Sequence, residues 1–334
     1  MSQTPWNYRQ PDPLGADAAS DGDEADDADA GEREVELRRA VVGDAQALWR
    51  LDRFLVSIAG EFSRSHLQGL IERGHARIDG QEQRQAARRV RPGQRVEIEL
   101  VPTAESAAYR AEPIPLAVVH EDPYLLVLDK PAGMVVHPAA GNWSGTLLNA
   151  LLAHHAGASV LPRAGIVHRL DKDTSGLIVA GKTLEAVTAL ARAIASREVR
   201  REYLALAHGA PAHASFAIDA PIGRDPARRV RMAVVPGGRP ARTDVELVAT
   251  RDAISALRCR LHTGRTHQIR VHLASRGLPL VADALYGGRP ALGMLRQALH
   301  AARLALSHPV TDQPMDFEAP LPADMSAAWR WVCG

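Results

Sequence analysis

Cysteine is almost missing from this sequence: Cys259 and Cys333 are the only two in 334 residues. They make neither a disulfide framework nor a metal-ligand spacing, which fits a reducing compartment such as the cytoplasm. Lysine is scarce as well, confined to Lys130, Lys172 and Lys182, so nearly all the positive charge is arginine. No apolar run approaches the ~18 residues of a membrane span. The opening MSQTPWNYRQPDPLG has no basic start followed by an apolar stretch, so no secretory signal is expected. A glycine-rich phosphate loop and a Cys/His ligand cluster are both lacking, which removes the usual marks of a bound nucleotide or structural metal. His262, His267 and His272 recur every five residues. That spacing suits neither one helix face nor one strand face, and no carboxylate or thiol interleaves, so no metal is expected there.

What is present is enough for one large domain and a small one, with 46% apolar residues for their cores. A net charge of +1 hides a division. Residues 1–34 hold ten acids and two bases; the rest of the chain holds 38 bases against 29 acids. A basic body behind an acidic tail suits a polyanion partner. The tail, residues 1–45, is low in apolar groups and is expected to be disordered, as a solubilising extension or as a decoy for the basic body.

Residues 46–100 read as a separate small domain. Leu51, Phe54, Leu55 and Ile58 fall on one helical face, and Leu67, Leu70 and Ile71 mark a second helix stopping near Gly74. RVEIEL alternates as a strand after the Pro92-Gly93 turn. Arg50, Arg53, Arg64, Arg73 and Arg77 lie along this unit, either as RNA contacts or as ordinary surface arginines. Residues 101–112 read as a linker, and residues 113–334 as the main domain. Its strands and short helices lack βαβ periodicity, which argues for an α+β fold with a mixed, mostly antiparallel sheet. Within it, segment 223–243 carries six arginines, Arg228, Arg229 and Arg231 among them, against Asp225 alone. Glycine and proline make it loop-like, a candidate for phosphate contact.

The chain is organised around AGIVHRLDKDTSGLIVAGK, residues 164–182. Apolar runs at Ile166-Val167 and Leu177–Ala180 flank a loop containing His168, Arg169, Asp171, Lys172, Asp173, Thr174 and Ser175, closed by Gly176. Such a loop either holds a carboxylate among cations at a site rim or is a solvated turn.

The motif HRLDKDTSGL resembles the signature of the RluA-type pseudouridine synthases. VVHPAAGN (135–142), TLLNALL (146–152), TGRTHQIRVHLA (263–274), LYGGRP (285–290) and RQALHA (296–301) extend the likeness in family order over nearly the whole chain after its first 45 or so residues. Residues 46–100 resemble an S4 RNA-binding domain. The resemblance implies a pseudouridine synthase fold, a bent sheet with a central cleft. It also implies isomerisation of uridine in RNA without metal, nucleotide or reductant, by a monomer. The expected substrate is 23S rRNA or a precursor of the large ribosomal subunit, at uridines 1911, 1915 and 1917 of the helix-69 stem-loop. Asp171 matches the nucleophile, which either attacks C1′ or removes a ribose proton to give a glycal. Arg270 matches its salt-bridge partner, and Tyr203 the active-site tyrosine.

Arg169 stands where the family inserts an arginine into the gap left by the flipped base. His168, Arg265, His267 and Gln268 are expected among the RNA contacts, the last two also orienting the loop around Arg270. Mild departures are Gly181 for Ala, Arg201 for Lys two residues before the tyrosine, and VADALYGG for VGDPLYG, which places Ala at 282 and 284. Three other readings stay open: a sister synthase with another rRNA or tRNA target, a non-catalytic ribosome-assembly factor, and a glycoside hydrolase, which would need two flanking carboxylates.

Overall fold

The computed structural model describes residues 36–60, 62, 64–100, 106–139, 142–228 and 231–334. The chain divides into two compact units, residues 1–102 and 103–334. Among the described residues no helix is long and apolar enough to cross a membrane.

The N-terminal unit pairs β1 (Glu36–Val41), β2 (Ala76–Ile78), β3 (Gln81–Gln83) and β4 (Arg95–Leu100) in the order β1-β4-β2-β3, with helices α1 (Leu51–Ile58) and α2 (Arg64–Glu72). The 3.6-residue spacing turns Leu51, Phe54 and Leu55 of α1 and Leu67, Leu70 and Ile71 of α2 into one core with Val96 and Ile98 of β4. β1 corrects the expected boundary: Glu36–Val41 falls within the expected acidic tail but pairs residue for residue with β4. Its alternation is weak because the strand lies at an edge with most side chains in solvent. The expectation for residues 1–35 lies outside the described residues.

A buried carboxylate is the unexpected feature of this unit. Asp52 is fully buried in α1 and accepts hydrogen bonds from Arg50, Arg64 and Gln68. Burial pushes its pKa up, but those three donors outweigh burial and hold it well below the ordinary carboxylate range. Two arginines read as RNA contacts therefore already have an internal partner.

The second unit is built on a nine-stranded sheet with the path β5-β6-β7-β14-β8-β13-β12-β9, and β15 pairs with β14. In chain order its elements are β5 (Val118–Glu121), β6 (Leu125–Lys130), α3 (Leu147–His154), β7 (Ser175–Gly181), α4 (Leu184–Ala195), β8 (Arg200–His208) and β9 (Ser215–Asp219). There follow β10 (Ile222–Arg224), β11 (Met232–Val234), β12 (Arg242–Arg251), β13 (Ile254–Leu261), α5 (Gln268–Ser275), β14 (Leu299–Ser307), β15 (Pro314–Glu318) and α6 (Ala323–Cys333). All pairings are antiparallel except β7 with β14, so the sheet is mixed and mostly antiparallel, as the element pattern requires.

Central strands explain the continuous apolar runs. Leu126 and Leu128 of β6 with Ile178 and Ala180 of β7 pack on one face, beside Tyr203 and Leu257. Leu125, Val127, Leu177 and Val179 pack on the other, against Leu190 of α4 and Leu304 of β14. With both faces covered, LLVL and LIVA have no polar positions to alternate with. Two expectations change. Segment 223–243 is not wholly loop: β10 and β11 pair antiparallel within it, and Asp225 pairs with Arg231. The end of the linker is docked, with the Asn149 side-chain amide donating to the carbonyls of Ala108 and Arg110.

The β7–β14 crossing depends on a missing side chain. Gly176 has φ +109°, and a Cβ there would stand 2.2 Å from the Ala301 carbonyl oxygen. Beside it the Ser175 hydroxyl donates to His300 Nδ1 at 3.0 Å, while His300 Nε2 donates to the Ala319 carbonyl. Because backbone, not a flexible side chain, occupies the space, Gly176→Ala is expected to destabilise the protein by about 3 kcal/mol or more. A urea midpoint equal to that of the parent chain would show that β14 can move aside.

Candidate active site

The loop between Ile166 and β7 is held by backbone contacts before its side chains do anything. Lys130, at the end of β6, is 1% exposed. It donates to the carbonyls of Pro131, Met134 and Lys172 at 2.8, 3.0 and 3.0 Å. All three ammonium N–H groups are thereby used. Burial pulls its pKa down to about 7, against the opposing fields of Asp173 and Asp171. On the far side Arg296 donates to the Asp173 carbonyl at 2.8 Å. His168 accepts the Val179 N–H through Nε2 at 3.0 Å, and burial lowers its pKa to about 3, so the ring is neutral. This corrects its expected place among RNA contacts, since its ring ties the loop to β7.

Asp171 emerges from this frame with its side chain 15% exposed. Its Oδ2 accepts from Arg270 Nη1 at 3.0 Å. Arg270 lies in the first turn of α5 and is gripped from behind: Nε and Nη2 donate to Oδ2 and Oδ1 of Asp283 at 2.7 and 2.9 Å. Burial works against the charge on Arg270, but Asp283 and Asp171 more than offset it and raise its pKa further. The Tyr286 ring lies 5.0 Å from the guanidinium carbon. Tyr286 accepts the Met232 N–H and shares a hydrogen bond with His267 Nδ1 at 2.8 Å. His267 Nε2 faces Asp171 Oδ1 at 3.8 Å. His267 itself adopts φ +55° at the start of α5.

Tyr203 of β8 is 5% exposed, and its phenol oxygen makes no hydrogen bond among the described residues. Burial raises its pKa, with Asp171 adding to the rise and Arg201 opposing it. Tyr203, Asp171, Arg270, His267, Arg169 and Arg201 share one cleft of about 590 Å³. Its lining includes six arginines, and Asp171 is the one carboxylate among the described lining residues. Geometry thus offers one carboxylate, a buried phenol and an arginine-rich wall.

Of the other expected residues, Arg169 is exposed on the cleft wall. Arg265 donates through Nε to the Pro240 carbonyl at 3.1 Å. Gln268 is buried and is corrected in role: it accepts from Thr263 and Arg265 and donates to Arg242 and Thr243, so it shapes the loop from within. Arg53 stacks on Trp49, Arg73 is exposed, and Arg77 lies 3.5 Å from Glu99. Arg228 is exposed, while Arg229 lies outside the described residues. His262 pairs with Asp244, and His272 with Thr243 and the Ala220 carbonyl, so the three histidines face separate partners. Sequence reasoning missed Asp283, Lys130 and Tyr286, although the first and last lie in the motif stretch VADALYGG.

Comparison with known proteins fits this geometry. A family model described as RNA pseudouridylate synthase matches residues 124–275, and an S4 domain model matches residues 49–96. A relative from Nitrosomonas europaea, named ribosomal large subunit pseudouridine synthase D, is 46% identical over 304 residues, covering 89% of this chain and 87% of that one. One from Chloroflexus aurantiacus, named uncharacterized RNA pseudouridine synthase, is 48% identical over 318 residues, covering 90% and 97%. Among solved structures, human RNA pseudouridylate synthase domain containing 1 superposes with a TM-score of 0.52 at 25% identity, over 65% of this chain and 89% of that one. The chain belongs to the RluA-type family of RNA pseudouridine synthases, with an S4 domain ahead of its catalytic domain.

Proposed function

We propose that this protein isomerises uridine to pseudouridine in 23S rRNA of the large ribosomal subunit, at positions 1911, 1915 and 1917 of the helix-69 stem-loop. The observation that supports the chemistry is the Asp171 carboxylate, held at 3.0 Å by Arg270 in a cleft with no other lining carboxylate among the described residues. The target rests on relatives such as the Nitrosomonas protein, whose name assigns it to the large ribosomal subunit.

The reaction breaks the N1–C1′ bond and makes a C5–C1′ bond. C5 loses a proton and N1 gains one, with no change of oxidation state. Asp171 supplies the negative charge at the sugar, by attack on C1′ or by removing a ribose proton. Arg270 holds it in place while occupying one oxygen. Oδ1 is left free of Arg270, with His267 Nε2 at 3.8 Å. Tyr203 offers a protonated phenol and a ring on which the uracil stacks. Reaching a paired or stacked uridine requires flipping it out, and exposed Arg169 is placed to fill the vacancy. Arginine-rich walls and the S4 domain bind phosphates.

The test of the target is a pseudouridine map of 23S rRNA from a strain lacking the gene. Loss at the three helix-69 positions is expected; loss at other sites would reassign the substrate within the family. In purified enzyme, Asp171→Asn should abolish isomerisation while RNA affinity stays within about threefold, and measurable turnover in that variant would end its role as nucleophile. Asp283→Asn should slow single turnover about 10- to 100-fold, because an unanchored Arg270 no longer presents Nη1 to Asp171. The double change Arg73→Gln, Arg77→Gln should lower the slope of log affinity against log salt by about 1 to 2 and leave the bound-state rate unchanged. An unaltered slope would place the phosphate contacts elsewhere.

A further inference from the structure

Arg201 has no evident occupation in the folded protein. It precedes Tyr203 by two residues on β8, opposite Leu261 of β13, while Tyr203 stands opposite Cys259. Residues two apart on a strand share a face, so both side chains enter the cleft. Arg201 is only 5% exposed, its Nε is buried without a partner, and its guanidinium enters no ion pair among the described residues. A buried cation left without a counter-ion is unfavourable unless a ligand completes it. Room for it has been kept: a Cβ on Gly264 would stand 2.9 Å from Arg201 Nη1. Other cleft arginines, at 163, 169 and 197, are exposed and suit phosphates at the rim. Arg201 lies deeper, beside the phenol.

This position matches the one transient charge that the reaction places on the base. When the N1–C1′ bond breaks, its electron pair leaves with N1, and the uracil becomes an anion with charge spread onto its two carbonyl oxygens. Either route through Asp171 passes this point. We infer that the Arg201 guanidinium contacts a uracil carbonyl oxygen and stabilises the departing uracil anion, which makes it a catalytic residue. The ring then turns, C5 bonds to C1′, and the C5 proton is lost as N1 regains one. Arg201 gives up no proton; it acts by its fixed charge. The inference rests on the proposed isomerisation.

The test compares helix-69 RNA containing uridine with the same RNA containing 5-fluorouridine. Fluorine withdraws electrons, so the departing ring needs less help. In single turnover, Arg201→Gln should slow formation of the rearranged nucleotide on the order of 100-fold with uridine. With 5-fluorouridine the loss should be several-fold smaller, and RNA affinity should stay within about twofold. Gly264→Ala, which pushes the guanidinium aside without altering it, should show the same dependence on the base. Arg201→Lys should recover much of the rate.

Because the cation has no partner, Arg201→Met should melt at or above the parent temperature. Equal losses on both RNAs, an unchanged uridine rate, or a lower melting temperature or insolubility for Arg201→Met would each overturn the inference. Failure of the functional reading looks different. If the parent enzyme converts another uridine, the comparison moves to that RNA. If Asp171→Asn stays active, the nucleophile is wrong while the Arg201 ratio still reads out.

Discussion

The arrangement that everything else serves is one guanidinium shared by two carboxylates. Arg270 gives a two-point grip to Asp283 and a single hydrogen bond to Asp171. A fork closed on Asp171 alone would occupy both of its oxygens. Because Asp283 takes Nε and Nη2, only Nη1 remains for Asp171, whose other oxygen stays clear of that guanidinium. Breaking a buried pair of this kind by removing one member costs roughly 3–5 kcal/mol, so the trio also fixes α5 against the segment that bears Asp283. The Tyr286 and His267 rings complete a frame in which Arg270 has one orientation.

That frame would be useless if the Asp171 loop drifted, and the sheet prevents it through backbone contacts. The Lys172 carbonyl accepts both Lys130 Nζ and the Gly133 N–H, while Arg296 holds the Asp173 carbonyl. Gly176 and Leu177 pair with Lys130 and Asp129 of β6, Ser175 pairs with His300 of β14, and Gly176 passes against β14 at a distance that admits no side chain. A lysine with a depressed pKa lowers stability at neutral pH, a penalty present below about 7 and relieved as pH rises toward its ordinary value. The chain tolerates that penalty at the point where three loop carbonyls need a common donor.

Much of this could be read beforehand, for reasons that differ by residue. Helices α1 and α2 declared themselves through 3.6-residue spacing, β4 through alternation, and Asp171, Tyr203 and Arg270 through motif position. Asp283 did not, because its role follows from a fork geometry between segments that no periodicity links. Arg50 and Arg64 looked like RNA contacts because charge is visible in a sequence and its internal compensation is not. Their partner Asp52 sits between Leu51 and Arg53, and only the packing of α2 onto α1 brings Gln68 and Arg64 to it. His168 misled in the same way: a histidine inside a motif reads as functional, yet its ring accepts a strand amide. β10 and β11 were hidden by the glycine and proline content that suggested loop.

A departure from the family pattern bears on the same frame. Ala282 has φ +59°, a conformation that glycine, the usual residue there in the resembling family, adopts freely. For alanine it costs about 1–2 kcal/mol, and it falls immediately before Asp283, the anchor of Arg270. The Ala282 N–H donates to the Arg289 carbonyl, and the Asp283 N–H to the Leu280 carbonyl, so the turn is closed on both sides. Gly288 explains why the turn does not relax: a Cβ there would stand 1.7 Å from the Leu280 carbonyl oxygen, so the returning backbone lies directly against it. The strain is thus confined by packing rather than by sequence preference. The direction of the Asp283 carboxylate, and through it the placement of Arg270 beside Asp171, is set by a backbone that alanine alone would not choose.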